Sequence, residues 1–203
     1  MKKNILTLCF SLLFIALFSS CEEDTSLPPM YPEVYSEDFS RPEGEPAFNF
    51  QDWVLFSQAG SKKWFKASYT DSKNFTNDYI EFSSFGSGDA SNIGWAITPA
   101  YSLDLLSQKA LIFQSAQHHA TSPENKLELL VSTNFNGTDV LAATWVPLKF
   151  KGPVYTNGTN YDFVNSGKVD LSGFSGNIYI AFKVTGNSTT LTGGFQIDNI
   201  KLF

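Results

Sequence analysis

The chain has 203 residues and a net charge of −6, which becomes −8 once the two lysines of its first 20 residues are set aside. No cluster of Lys or Arg offsets this acidic charge, so nucleic acid is excluded as a partner. The chain holds 19 Phe, eight Tyr and four Trp against two Met, together with 14 Gly and nine Pro. That composition favours an all-β domain over a helical one.

Residues 1–20 have the features of a signal peptide. A pair of lysines precedes an apolar stretch, 5–18, that is short for a membrane span and has the length typical of an export leader. The stretch ends in Phe-Ser-Ser-Cys at Cys21, which resembles a lipobox, although Phe18 stands where Leu is usual. We therefore predict cleavage before Cys21 and attachment of lipid to that residue. The alternative is an ordinary signal peptide followed by a Cys that is there by chance.

Residues 21–32 have the composition of a tether. The acidic residues 22–24 follow the Cys directly and resemble the surface-export signal of lipoproteins in Bacteroidetes; the alternative is a solvated run of charges. The Pro-rich residues 25–32 favour an extended, stiff spacer. Several acyl chains on Cys21 would hold the protein firmly to a bilayer. We therefore expect a lipid-anchored protein of the outer membrane that faces the cell exterior, with a folded domain over 33–203.

Residues 33–203 predict a series of short strands separated by turns. The clearest is 177–185, in which Ile178, Ile180, Phe182 and Val184 alternate with residues that face the other way. Similar runs predict strands at 53–57, 64–69, 79–83, 94–98, 111–117, 126–133 and 145–150. Turn signals lie between them, and only 102–110 has the pattern of a helical turn. About ten or eleven strands are enough for two packed antiparallel sheets, a β-sandwich.

The final strand contains an irregularity at Asp198-Asn199. The apolar residues before it, Phe195 and Ile197, share one face, whereas those after it share the other. A strand that keeps one buried face across such a slip contains a β-bulge. We therefore predict a bulge that places the Asp198 carboxylate near an edge or an end of a sheet.

Several short motifs follow one another along this domain. They are Tyr-Ser-Glu-Asp-Phe at 35–39, Gly-Trp-Ala-Ile-Thr-Pro at 94–99, Leu-Asp-Leu at 103–105, Val-Ser-Thr at 131–133, Val-Asp-Leu-Ser-Gly at 169–173 and Ile-Asp-Asn-Ile at 197–200. Their order resembles the cleaved-adhesin or choice-of-anchor J family and covers nearly all of the domain. The resemblance implies an all-β jelly roll similar to galactose-binding domains and carbohydrate-binding modules.

The same resemblance implies a structural Ca²⁺ between the first and last strands. Calcium takes about six to eight oxygen ligands, typically carboxylates and carbonyls. Glu37 or Asp38, together with Asp198, would supply the charged part of that shell. The alternative is that Asp198 caps the bulge through backbone N–H groups while Glu37 and Asp38 are solvated.

Sequence motifs for catalysis and for zinc are missing. His118 and His119 are the only histidines, and adjacent residues on a strand face opposite ways, so they are poorly placed to hold one metal. The sequence has no Gly-x-Ser-x-Gly elbow, no phosphate-cradling glycine motif and no Cys after Cys21. No local motif marks a carboxylate pair for glycoside hydrolysis. We therefore expect a protein that is not an enzyme.

Aromatic residues give the remaining functional lead, because exposed flat rings bind the apolar face of a sugar. Trp64 stands beside Phe65 in a predicted strand, so one of the two rings faces outward. Tyr155, Tyr161 and Phe163 lie in a Gly- and Asn-rich stretch with the composition of a long loop, and loops often carry binding residues. Trp64 and these three residues are the candidate ligand-binding residues. The other Trp residues are expected in the core: Trp53, Trp95 and Trp145.

Taken together, these features predict a surface-exposed, lipid-anchored binding or adhesion module. Its expected partners are a membrane, through the lipid, and either a glycan or an extracellular host or matrix protein. The first alternative is a structural subunit of a cell-surface assembly, which a large exposed apolar patch would favour. The second is a glycan-active hydrolase, which a buried carboxylate pair in a deep cleft would favour.

Overall fold

The computed structural model describes residues 33–156 and 160–203. These ranges contain thirteen strands: β1 (Tyr35–Glu37), β2 (Val54–Ala59), β3 (Phe65–Thr70), β4 (Thr76–Ser83), β5 (Asn92–Ile97), β6 (Tyr101–Ser102), β7 (Ala110–His118), β8 (Lys126–Ser132), β9 (Val146–Leu148), β10 (Val164–Asn165), β11 (Val169–Asp170), β12 (Asn177–Gly186) and β13 (Gly194–Leu202). The predicted signal peptide, the lipidation site at Cys21 and the tether lie outside the described residues. Within the ranges described, no helix is long and apolar enough to cross a lipid bilayer.

The strands form two antiparallel sheets. The seven-stranded sheet has the order β10-β7-β13-β4-β3, with β1 beside β13 and β11 beside β7. The six-stranded sheet has the order β2-β5-β12-β8-β9, with β6 beside β12. The all-β, two-sheet fold predicted from the alternating pattern is confirmed.

Alternation places the inner faces of both sheets in one core. The four β12 residues that were expected to share a face are all buried there. Phe82 and Phe113 reach the same core from the seven-stranded sheet, and the rings of Phe113 and Phe182 meet edge-on with centroids 5.1 Å apart. Burying each such side chain contributes about 1.5–3 kcal/mol, so these contacts hold the two sheets together.

The expected core positions of the Trp residues are largely found. Trp53 and Trp95 are buried. Trp145 is half-buried, because it packs its ring against Trp95 on the outer face of the six-stranded sheet, with centroids 5.4 Å apart.

The bulge predicted in the final strand is confirmed. β13 pairs with β7 residue by residue as far as Asp198, and the register then shifts before Lys201. Asn199 has a φ of 51°, the left-handed region that Asn tolerates better than most residues. The bulge keeps the apolar residues on both sides of it in the core.

Two kinds of local prediction differ in outcome. The helical turn expected within 102–110 is present as a single 3₁₀ turn, Leu103–Leu105. The two-residue strands β6, β10 and β11 were not predicted, because two residues are too few to show an alternating pattern.

Candidate functional site

A groove of about 850 Å³ crosses the outer face of the seven-stranded sheet. It is lined by Tyr69, Phe75, Asn77, Tyr79, Glu81, Gln114, His118, Tyr161, Phe163, Gln196 and Asp198. These residues come from β3, β4, β7 and β13, from the turn between β3 and β4, and from the segment that precedes β10. The groove therefore collects side chains from distant parts of the chain on one face of one sheet.

Strand register explains why polar side chains meet on the groove floor. On β4 and β13, core residues alternate with residues that face the groove. Gln196 of β13 pairs with Glu81 of β4 on one side and with Ala116 of β7 on the other. Ala116 is fully buried and does not line the groove, so the polar side chains of the floor come from Gln196 and Glu81 at this level.

Aromatic rings stand around this polar floor. Phe75 is 73% exposed and Tyr161 is 49% exposed, and Tyr69 is exposed as well. Tyr161 stacks on His118, with centroids 4.9 Å apart and an angle of 14° between the rings. The Tyr161 hydroxyl lies 3.0 Å from Nε2 of His119. Tyr161 is thus fixed on one face and open on the other.

Gly194 lets His118 lie across the floor. A Cβ atom at position 194 would lie 2.1 Å from Nε2 of His118, so only Gly leaves space for the imidazole there. Nε2 of His118 lies 3.3 Å from Oε1 of Glu81, without hydrogen-bond geometry. The residue on β7 thereby reaches over β13 to the carboxylate on β4.

Glu81 is the partly exposed carboxylate of the groove. Its Oε2 accepts a hydrogen bond of 2.8 Å from Nε2 of Gln196. Burial opposes ionisation of Glu81, but its interactions with His118 and Gln196 outweigh that effect and hold its pKa below the usual range. Glu81 therefore carries a negative charge at neutral pH.

Asp198 lies deeper, at the bulge, and is only 1% exposed. Its carboxylate accepts hydrogen bonds from Nδ2 of Asn77 at 3.1 Å, from Nδ2 of Asn199 at 3.0 Å and from the backbone N–H of Asn199 at 2.6 Å. Burial nevertheless raises the pKa of Asp198 to about 6, and the nearby charges of Asp38 and Asp78 add to the rise.

The residues expected to bind calcium are engaged differently. Glu37 forms a two-pronged ion pair with Arg41, at 2.9 and 3.0 Å, and also accepts the backbone N–H of Phe39. Asp38 caps the N–H of Ser40. No group of three or more His, Cys, Asp or Glu side chains is arranged to hold a metal in the described part of the chain. Calcium binding by Glu37, Asp38 and Asp198 stays a prediction of the sequence.

The four candidate ligand-binding residues are divided by the structure. Tyr161 and Phe163 both line the groove. Trp64 does not, which corrects the expectation that its ring is available. It is 2% exposed and its Nε1 donates to the carbonyl oxygen of Gly94, so the outward ring is Phe65. Tyr155 lines a separate depression of about 230 Å³.

Sequence reasoning missed most of the groove. Tyr69, Phe75 and Glu81 carry no motif, and neither does Gln114 or Gln196. The available signal was the alternation of polar and apolar residues within 76–83 and 194–198, which marks a face directed away from the core.

Comparison with known proteins connects the chain to a family and to a fold. The sequence model of the family described as "Domain of unknown function (DUF5017)" matches residues 100–203, just over half of the chain. No curated protein is similar to the chain in sequence.

Among solved structures, the K2 cleaved adhesin domain of Lys-gingipain is similar, with a TM-score of 0.53 and 13% identity over 83% of this chain and 97% of that domain. The K3 cleaved adhesin domain of Lys-gingipain from Porphyromonas gingivalis has a TM-score of 0.48 and 16% identity, covering 84% and 98%. A family 11 carbohydrate-binding module from Clostridium thermocellum has a TM-score of 0.42 and 16% identity, covering 85% and 96%. The likeness to the K2 domain shows the fold that the two share, the jelly-roll sandwich.

Proposed function

Because the chain belongs to the DUF5017 family, whose description assigns no activity, we propose its function from its groove: the protein is a carbohydrate-binding module. The observation that carries this proposal is the arrangement of exposed rings around a floor of amides and carboxylates. The binding site is the outer face of the seven-stranded sheet. The protein holds a glycan there and does not cleave it.

The ring arrangement suits a sugar because a pyranose has apolar C–H faces and a polar rim. An exposed ring buries the apolar face, and side-chain amides and carboxylates bond to the hydroxyl groups. Tyr161 supplies an open ring face whose opposite face is supported by His118. Phe75 and Tyr69 supply further rings, and the groove volume exceeds the needs of a single sugar ring.

The same floor contains two carboxylates, which is the feature that the hydrolase alternative requires. Both are engaged by protein groups: Glu81 by Gln196 and His118, and Asp198 by Asn77 and Asn199. Side chains held in this way orient a ligand, whereas a catalytic acid must deliver its proton to the substrate. We therefore assign Glu81 to contact with the ligand and Asp198 to the orientation of Asn77.

The test is binding of the full-length protein, in detergent, to a panel of immobilised polysaccharides. Tyr161→Ala is expected to lower the affinity on the order of tenfold, because it removes the open ring face. Tyr155→Ala is the matched control, since Tyr155 lines a different depression, and it should bind like the wild type.

Two results would overturn the proposal. One is a wild-type protein that binds no polysaccharide of the panel. The other is Tyr161→Ala and Phe75→Ala variants that both bind as tightly as the wild type. Capture of an extracellular protein by the wild type alone would favour the protein-binding alternative, and release of reducing ends from a bound polysaccharide would favour the hydrolase.

The cellular location forms a second part of the proposal. We retain lipid attachment at Cys21 and display on the outer membrane, supported by the leader 1–20 and the acidic residues 22–24. Cys21→Ser is expected to move the protein from the membrane fraction to the soluble fraction. Protease treatment of intact cells should degrade the wild type if it faces outward.

Structural calcium stays a prediction of the sequence. With Glu37 held by Arg41, a calcium shell would have to be built from Asp38 and Asp198 with amide and carbonyl oxygens. A melting temperature that rises with added CaCl₂ and falls with EDTA would support it. Equal melting temperatures in the two buffers would rule out the predicted calcium site.

A further inference from the structure

The groove has a one-sided charge. Two of its lining residues are acidic, Glu81 and Asp198, and no Lys or Arg lies among the lining residues that the structure describes. The one basic group is His118, which is buried beneath Tyr161 and faces Glu81. A ligand in the groove therefore meets the Glu81 carboxylate with no Lys or Arg among the described lining residues.

The exposed polar groups are positioned from below by β13. Gln196 holds Glu81 through one carboxylate oxygen. Asp198 holds Asn77, whose Nδ2 donates to it. Because Gln196 and Asp198 are themselves buried, they orient their partners and leave the contact with a ligand to those partners.

The bulge extends this support to β7. Nδ2 of Asn199 donates to Oε1 of Gln114 at 2.9 Å and to Asp198 at 3.0 Å, so one amide links the buried carboxylate to a second groove residue. Within 33–156 and 160–203, the NH₂ group of Gln114 and the Oδ1 and second N–H of Asn77 make no other hydrogen bond, and we assign them to the ligand. Glu81 retains further acceptor positions.

This mixture of donors and acceptors matches hydroxyl groups, each of which can donate and accept. An ionised sugar substituent, such as a carboxylate or sulfate, would instead be placed near Glu81 with no Arg or Lys to pair with it. Like charges brought together at a partly dehydrated site are strongly unfavourable.

We propose that the groove binds uncharged, hydroxyl-rich sugars and rejects anionic ones, with Glu81 as the residue that determines this choice. The proposal rests on the proposed glycan-binding function and adds the class of ligand. Glu81 accepts hydrogen bonds from sugar hydroxyls, and its charge repels carboxylated and sulfated residues.

A matched pair of ligands tests the choice. The neutral polysaccharide that binds the full-length protein best is oxidised at its primary hydroxyls to the uronate form, and part of that product is methyl-esterified to remove the charge. We expect the uronate form to bind on the order of tenfold more weakly than the methyl ester. The gap should shrink in about 1 M salt, where the screening length falls to ~3 Å.

The variant Glu81→Gln tests the residue. It keeps the shape and removes the charge, so the ratio between ester and uronate affinities is expected to fall to roughly one-third of the wild-type ratio or less. Glu128→Gln is the matched control, because Glu128 lies on β8 of the other sheet and pairs with Lys183. That variant should keep the wild-type ratio.

The outcomes separate the two proposals. Equal binding of uronate and ester forms by the wild type, or an unchanged ratio in Glu81→Gln, overturns the neutral-ligand inference while glycan binding stands. Binding to anionic polysaccharides but not to neutral ones also overturns the neutral-ligand inference while glycan binding stands. Absence of binding to every polysaccharide overturns the proposed function and this inference with it.

Discussion

The outer faces of both sheets arise from the same alternation of side chains, but one face is covered by another segment and the other is open. On the six-stranded sheet, the outward residues Trp95, Ile97 and Leu130 are apolar and are buried by the connection between β8 and β9. On the seven-stranded sheet, the outward residues include Glu81 and Gln114, and they line an open groove. The first face stabilises the fold, and the second is available to a partner.

The cover on the six-stranded sheet is itself well ordered by side-chain hydrogen bonds. Oδ1 of Asn136 accepts the backbone N–H groups of Thr138 and Asp139, which sets the turn. Nε1 of Trp145 donates to the carbonyl oxygen of Val140 at 2.9 Å. Phe135 and Trp145 then pack ring to ring, with centroids 5.5 Å apart.

The difference teaches that the residue type at outward positions decides the fate of a sheet face. Apolar outward residues need a covering segment, because leaving them in water costs about 25 cal/mol for each Å². Polar outward residues need no cover, so the face that carries them can stay open to solvent. Mutations on the two faces should therefore change different properties.

The largest expected effect is the loss of stability when a buried side chain is removed from the covered face of the six-stranded sheet. Trp95→Ala should lower the free energy of unfolding by about 3–5 kcal/mol, because it empties the space between the sheet and Trp145. Phe75→Ala, on the open face, should change it by less than about 0.5 kcal/mol. Urea unfolding followed by fluorescence and circular dichroism measures both. Similar losses in the two variants would contradict the contrast between the faces.

The next largest effect is a pH-dependent loss of folding stability caused by Asp198, which lies on the open face. The ordinary pKa of an Asp side chain is 3.8, whereas the pKa of Asp198 in the folded protein is about 6. The folded state therefore binds the proton more tightly than the unfolded state does. The resulting stability is fully present below pH 3.8 and is lost as pH rises to about 6. Since one pKa unit corresponds to about 1.4 kcal/mol, this loss has an upper bound of about 3 kcal/mol.

The variant Asp198→Asn isolates that loss, because other titrating groups are shared with the wild type. Urea unfolding in steps across this pH window should show wild-type stability falling relative to the variant. Parallel curves for the two proteins would show that Asp198 titrates at its ordinary pKa and that its burial is without electrostatic cost.

The smallest effect concerns the crossing of His118 over β13. Gly194→Ala should cost about 1–3 kcal/mol, because the new Cβ meets the imidazole. In a His118→Ala background the same change should cost less, since the clash is gone. Urea unfolding of the four proteins of this cycle gives the coupling energy. An equal cost in both backgrounds would assign the effect of Gly194 to the strand backbone.

The fold was predictable from the sequence because it depends on local alternation. The pattern in β12 and the phase slip at Asp198 each identify a buried face without any knowledge of neighbouring strands. Trp64 was assigned to the wrong place for the same local reason. Where Trp64 and Phe65 are adjacent, alternation states that they face opposite ways but does not state which one faces the core.

The groove was less predictable because it depends on which strands become neighbours. Glu81 and Gln196 are far apart in the chain and meet only through the pairing of β4 with β13. Strand order is set by the whole topology, which a single sequence does not reveal. Tyr161 and Phe163 were found because loop composition is a local property.

The pairing of β1 with β13 has a mechanical consequence. Tyr35 lies opposite Leu202, and Glu37 lies opposite Ile200. A pull on the chain before residue 33 therefore enters the fold through a strand of three residues and passes to β13, the strand that carries Gln196 and Asp198. If a ligand in the groove resists that pull, tension runs along β13 through the bulge, and β1 is the first strand that the load would peel away.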